Sequence, residues 1–206
     1  MAATLHEPVR LFRICVWGAV VLLAGFLLVS TMLPEPQAPA EASTGTARVG
    51  GPFSLTSHEG ERIDNRSLAG RPYLVFFGFT HCPEICPTTL FELTDLMSEM
   101  GADADRFEAL FVTVDPERDT QALLASYMTS FDSRITALRG SAEETEAVLK
   151  AFSAYAAKVP LEDGQYTMDH TTGVYLVRGD GSFGGTLDMH EPRDIRLQKL
   201  RRLAGS

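Results

Sequence analysis

The chain has 206 residues, 45% of them hydrophobic and 22% charged, enough for a membrane segment plus one domain of ordinary size with a buried core. Its net charge of −9 argues against nucleic acid as a partner, because phosphates would repel it. Three cysteines are too few for a disulfide-stapled scaffold.

Residues 14–33 read ICVWGAVVLLAGFLLVSTML, 20 residues without a charge. That is the length a helix needs to cross about 30 Å of hydrocarbon. Arg10 and Arg13 precede the run and Pro34-Glu35-Pro36 follows it. The positive-inside rule then puts residues 1–13 in the cytoplasm as a short tail, makes 14–33 a transmembrane anchor and sends the rest outside. A cleaved signal peptide is the alternative, and Ala38-Pro39-Ala40 resembles a cleavage site, but its apolar core would be shorter than this run. Cys15 lies inside the apolar run and reads as a small apolar residue of the span. Residues 34–51, rich in Pro, Ala, Gly, Ser and Thr, read as a flexible linker. Residues 52–206 form the globular domain.

Within that domain Phe53-Ser54-Leu55 predicts a short strand, turned at His58-Glu59-Gly60. Tyr73 to Phe79 is a near-continuous apolar strand of the kind buried on both faces. A helix is predicted from near Pro87, carrying Leu90, Leu93, Leu96, Met97 and Met100 at helical spacing and stopped by Gly101. Phe107–Val114 predicts a second buried strand. Asp115-Pro116-Glu117-Arg118-Asp119 is a polar loop, with Asp115 as turn former and Asp119 as helix N-cap. Thr120–Phe131 follows as a helix and Ile135–Leu138 as a short strand. Ser141-Ala142-Glu143-Glu144 has capping-box spacing and opens a helix with Val148, Leu149 and Phe152 inward. Tyr166–Gly173 reads as a polar loop. Val174–Val177 and Gly184–Leu187 flank Arg178-Gly179-Asp180-Gly181-Ser182, a hairpin signal. A last helix follows Glu191-Pro192. Crossovers make parallel pairs and hairpins antiparallel ones, so this order gives an α/β sandwich with a mixed central sheet flanked by helices. A cysteine pair at a strand-to-helix junction makes a thioredoxin-like fold the best match.

That pair is the chemical centre of the sequence: Phe76-Phe77-Gly78-Phe79-Thr80-His81-Cys82-Pro83-Glu84-Ile85-Cys86-Pro87. The helix start favours a thiolate on Cys86. Residues four apart on a helix hold their side chains about 5–6 Å apart, whereas a disulfide wants Cβ atoms about 3.5–4.5 Å apart. Cys82 and Cys86 can therefore act as a redox pair with modest adjustment, or bracket a metal ion. Thiolates select Cu(I), zinc or iron–sulfur clusters. Structural zinc and iron–sulfur clusters want four ligands, which leaves copper as the best fit. Four histidines lie beyond the apolar run. His58 falls in a turn, His81 adjoins Cys82 and diverges from it, and His190 lies in a loop. His170, just before the strand Val174–Val177, is the strongest third ligand, with a structural histidine as the alternative reading. The thioethers of Met168 and Met189 suit Cu(I) in principle, but single loop methionines usually pack.

Taken together, the anchor and linker, Phe-Phe-Gly-Phe-Thr-His81-Cys82-Pro-Glu-Ile-Cys86-Pro, Val114-Asp115-Pro-Glu-Arg-Asp119-Thr and Asp169-His170-Thr-Thr resemble the Sco/SenC family over about residues 50–192. The resemblance implies a thioredoxin-like fold and a copper chaperone that binds Cu(I) or Cu(II) through Cys82, Cys86 and His170. It implies delivery to the dinuclear copper (CuA) site of cytochrome c oxidase subunit II, loading by an upstream periplasmic copper donor, and a place on the inner membrane, single-pass, with the domain in the periplasm. Asp115 and Asp119 match the family's acidic loop, in a supporting role. A metallochaperone is not an enzyme in the ordinary sense. The competing expectation is a thiol-disulfide reductase that keeps the target's cysteines reduced, which needs Cys82 and Cys86 but not His170. A peroxidase and a copper or redox sensor fit the cysteine spacing or the visible features less well.

Overall fold

The computed structural model describes residues 49–206 apart from residue 163, together with Trp17 and Leu23, which are helical. The expected anchor at 14–33 otherwise lies outside the described residues, as do Cys15 and most of the linker. Among the described residues no helix is long and apolar enough to cross a membrane. Backbone contacts divide the chain into Met1–Gly45 and Thr46–Ser206, and the elements below belong to the second unit.

Tyr73-Leu-Val-Phe-Phe-Gly78 forms the strand around which the rest assembles (β3), and all six of its residues are buried. It pairs in parallel with β4 (Glu108–Thr113) and antiparallel with β8 (Val174–Val177). Outward on one side come β5 (Ile135–Arg139), β1 (Ser54–Ser57) and β2 (Arg62–Asp64); on the other lies β9 (Phe183–Leu187), giving the order β2-β1-β5-β4-β3-β8-β9. The parallel core and antiparallel margins are the mixed sheet expected from the order of crossovers and hairpins.

Side chains alternate across β3. Phe77 meets Phe152 and Tyr175 edge-on, with centroids 5.7 and 5.9 Å away. Phe76 points the other way, toward Phe111, which lies 6.1 Å from Tyr127. Helices cover both faces. Helix α1 (Ile85–Met100) buries Leu90, Leu93, Leu96, Met97 and Met100 and ends at Gly101, whose φ of 58° suits glycine. Helix α2 is Gln121–Met128, α3 is Ala142–Ala151 and α4 is Arg193–Ala204. The last is tied to α1 by Arg193 bonding Asp95 and Glu99.

Helix α1 starts at Ile85 and carries Pro87 in its first turn, as expected; proline is tolerated there because those N–H groups lack intrahelical partners. One expectation gives way. The expected polar loop at 166–173 instead begins with a strand. Tyr166–His170 (β7) pairs antiparallel with β6 (Ala156–Pro160) as a two-stranded sheet separate from the main one. All of its positions are partly or fully exposed, so it lacks the apolar alternation by which a strand is read from sequence.

The capping box at α3 is present in full: Glu144 N–H donates to Ser141 Oγ at 3.2 Å, and Ser141 N–H donates to the Glu144 carboxylate at 2.8 Å. Ser141→Ala removes the first of these bonds, and urea denaturation is expected to show a loss of about 1 kcal/mol.

Candidate metal centre

The site lies where β3 ends and α1 begins. Beyond Gly78 the chain turns through Phe79–Glu84 and enters the helix at Ile85. No side chain caps that helix at Glu84. Instead the Cys86 N–H donates to Cys82 Sγ at 3.4 Å, so a sulfur takes one of the free amides of the first turn. Cys86 is fully buried and Cys82 half-buried, and both are free thiols. A Cβ built on Gly78 would lie 2.8 Å from Cys86 Sγ and 2.7 Å from the Phe111 ring. Glycine at 78 is therefore what lets the Cys86 sulfur settle against the end of the central strand. A glycine inside an apolar strand pattern is the sequence signal for such a close approach.

The third group comes from the separate hairpin. His170, the last residue of β7, brings Nε2 to 3.6 Å from Cys86 Sγ, and its ring stands edge-on to Phe79 with centroids 5.7 Å apart. Its Nδ1 lies 3.0 Å from the Thr171 carbonyl. A carbonyl only accepts, so Nδ1 carries a proton, and in the neutral ring the Nε2 lone pair then faces the sulfur. Donor atoms of Cys82, Cys86 and His170 all lie within 4.8 Å of one another. Among the described residues no other histidine, cysteine or carboxylate joins that group. Beside it opens a cleft of about 250 Å³ whose walls include Phe79, Cys82, Pro83, Ile85, Met168 and His170.

The expectation of a thiolate on Cys86 is corrected by its burial. Desolvation, with smaller contributions from Cys82 and Asp119, pushes the Cys86 thiol well above the ordinary cysteine range. Burial thus favours the neutral thiol at Cys86, which faces His170 Nε2 at 3.6 Å. The helix start acts on the Cys82 sulfur instead, through the Cys86 N–H.

The remaining candidates fall elsewhere. His81 turns away from the thiols, with Nδ1 3.0 Å from Thr80 Oγ1 and 3.7 Å from the Asp119 carboxylate. His58 accepts the Ala137 N–H at 3.2 Å, and His190 is exposed beside Asp188. Met168 and Met189 pack against the core, Met189 also accepting from Arg196. Asp119 is not the helix cap: Thr120 caps α2, accepting the Leu123 N–H at 3.2 Å. The Asp119 carboxylate is fully buried and accepts from Thr80 N–H at 3.1 Å, from Thr80 Oγ1 at 2.6 Å and from Thr113 Oγ1. It thus bolts the exit of β3, two residues before Cys82, to the exit of β4.

A thioredoxin-like α/β domain with two thiols and one imidazole converging at the strand-to-helix junction is the class that fold and site define. The chain belongs to the SCO1/SenC family, whose sequence model matches residues 41–205. It is 39% identical over 142 residues to the human mitochondrial protein SCO1 homolog, covering 68% of this chain and 47% of that one. The chain thus spans about half the length of that relative. Among solved structures it superposes on Bradyrhizobium japonicum ScoI with copper bound at a TM-score of 0.71 and 44% identity, covering 75% of this chain and 99% of the other. It also superposes, at 0.61 and 26% identity over 76% and 94% of the two chains, on BsSco, a protein with a disulfide switch from the Sco family of cytochrome c oxidase assembly proteins.

Gly78→Ala forces Cys86 or Phe111 to move. Overpacking of this kind costs about 1–3 kcal/mol, which equilibrium urea unfolding would register. Asp119→Ala strands the buried Thr113 hydroxyl and two partly buried donors of Thr80 and is expected to cost about 2–4 kcal/mol in the same measurement.

Proposed function

We propose that this protein is a membrane-anchored copper chaperone that carries copper on Cys82, Cys86 and His170 and delivers it to the CuA site of cytochrome c oxidase subunit II. The observation that carries this reading is the convergence of two sulfurs and one imidazole nitrogen within 4.8 Å. That donor set is soft enough for copper and one ligand short of structural zinc. The copper held by Bradyrhizobium ScoI supports it, as does the place of BsSco among oxidase assembly proteins.

Copper here is cargo. Both sulfurs must lose their protons on binding, and the cation offsets the charge that burial disfavours on Cys86. Release proceeds by ligand exchange, with thiolates of the target replacing those of the carrier. Residues 14–33 form the anchor that holds the domain, residues 52–206, on the periplasmic side of the inner membrane, with 1–13 in the cytoplasm and 34–51 as the tether. Tethering raises the effective concentration of the site at a membrane-bound target. An upstream periplasmic donor loads it.

The second reading is a thiol-disulfide reductase acting on the target's cysteines. The 3.4 Å approach of Cys82 Sγ to the Cys86 amide and the disulfide switch of BsSco favour it. Only Cys82 is accessible to attack a target disulfide, and Cys86 would then resolve the mixed disulfide, leaving Cys82–Cys86 oxidised and the target reduced.

The two readings separate on His170. The full chain, reduced and in detergent, is titrated with copper without oxygen and followed by visible absorption and electron paramagnetic resonance. One equivalent with a strong sulfur-to-copper band is expected, abolished in Cys82→Ala. His170→Ala should weaken binding by about tenfold or more, or about 1.4 kcal/mol, and change the resonance. Uptake indifferent to His170, with simple conversion to a Cys82–Cys86 disulfide, gives the reductase reading.

A further inference from the structure

His170 stands on a hairpin that shares no ladder with the main sheet. A lone two-stranded hairpin is marginal in water, so something outside it must hold it in place. Backbone bonding within β6 and β7 sets their register but not their position over the cysteines. At the His170 end the hairpin meets the domain through one edge-on ring, one 3.6 Å approach and the apolar packing of Met168 and Ala156 against the core, with no charged or buried polar group.

The strong contacts are at the far end of β7. Residues at i, i+2 and i+4 of a strand share a face, so Tyr166 points the same way as Met168 and His170, about 13 Å along the strand from the latter. Arg118, from the loop between β4 and α2, lays its guanidinium 3.7 Å over the Tyr166 ring and donates from Nη1 to the Tyr166 carbonyl at 2.8 Å. The same group lies 5.8 Å from the centroid of Phe79, the ring against which His170 stands. Asp115, fully buried, accepts from Arg118 Nε and from the Tyr166 hydroxyl, the latter at 2.9 Å. Lys158 of β6 adds an outer contact, bonding Glu117 at 2.6 Å and lying 4.7 Å over Tyr166. One planar cation thus engages a ring face, a main-chain carbonyl and a buried carboxylate at once, which lysine cannot reproduce.

We propose that Arg118, with Asp115 and Tyr166, is a latch that seats the β6–β7 hairpin and so sets the position of His170 over Cys82 and Cys86. Arg118 is a positioning residue that touches none of the three. In its consequence for copper the inference rests on the ligand reading above; in its consequence for the hairpin it does not.

The test uses the full chain with Arg118→Ala, Arg118→Lys and Tyr166→Phe. Metal-free protein is followed by amide hydrogen exchange and by the cross-relaxation between the Phe79 and His170 rings. Arg118→Ala should lower protection of the β6–β7 amides by about tenfold or more, equivalent to about 1.4 kcal/mol, and weaken the ring contact, while β3 and β4 amides keep theirs. Arg118→Lys should restore little of this, and Tyr166→Phe, which keeps the ring and loses one bond, should fall between. With copper, Arg118→Ala should keep the sulfur-to-copper band but lose imidazole nitrogen coupling from the resonance, with affinity down about 10–100-fold. Unchanged hairpin protection and ring contact in Arg118→Ala would overturn the latch, as would full rescue by Arg118→Lys. If the wild-type chain takes up no copper, or His170→Ala leaves its resonance unchanged, the ligand reading fails, and hydrogen exchange still decides the latch. Should Arg118→Ala fail to fold, Tyr166→Phe and Arg118→Lys carry the same comparison.

Discussion

The sulfur of Cys86 occupies the space that a side chain at position 78 would fill, and the rest of the site is measured from it. Its own amide reaches the Cys82 sulfur at 3.4 Å, and its thiol meets His170 Nε2 at 3.6 Å. Cys86 is thus the hub through which both other donors are placed. The hub is rigid because Gly78 ends a six-residue strand with every residue buried, and the first turn of α1 is packed directly onto it. Close-packed interiors transmit small displacements rather than absorbing them, so the length of β3 and the start of α1 together determine where the sulfurs lie.

Burial has a second consequence. A helix start attracts negative charge, yet desolvation pushes the Cys86 thiol upward, outweighing a backbone hydrogen bond from Phe79 that acts the other way. The favourable amide is spent on Cys82, the half-buried member of the pair. Close by, the acidic loop contributes structure. The Asp119 carboxylate ties together the ends of two neighbouring strands, and that of Asp115 is consumed by Arg118 and Tyr166.

Much of this was legible because it depends on local periodicity. The buried run at 73–79, the helical spacing from Leu90 to Met100 and the capping box at Ser141 each announce themselves in a few residues, and the structure agrees within two residues at most boundaries. The cysteine pair and His170 were singled out by residue type and neighbourhood, and the fold brings all three together. What was not legible depends on contacts distant in sequence. Asp119 next to a helix looks like a cap, and nothing local says that Thr120 takes that role while Asp119 turns to Thr80, 39 positions away. The β6–β7 strands carry no clean alternation because all of their positions remain at least partly exposed. Arg118 reads as one more charge in a polar loop; only its 48-residue reach to Tyr166 gives it a role. Cys86 failed in the opposite direction: position at a helix start was readable, depth of burial was not.

The site is built from parts of unequal stiffness. Two donors sit on the junction of a buried strand and a long helix; the third sits on a hairpin outside the sheet, held by apolar packing of Met168 and Ala156 and by the Arg118 contacts at its far end. A resident metal site gains most when every ligand is rigidly preorganised, since affinity then carries no ordering cost. A carrier has the opposite need, because a ligand that can withdraw without disturbing the core lowers the barrier to handing over its cargo. Displacement of the hairpin breaks no ladder bond of the main sheet. On the copper-carrier reading, His170 is the ligand best placed to yield first, Cys82 lies open to an incoming thiolate, and Cys86, fully buried, is last to let go. On that reading, the division between a rigid thiol pair and a latched imidazole serves both retention and release, with Arg118 holding the end of the hairpin away from His170.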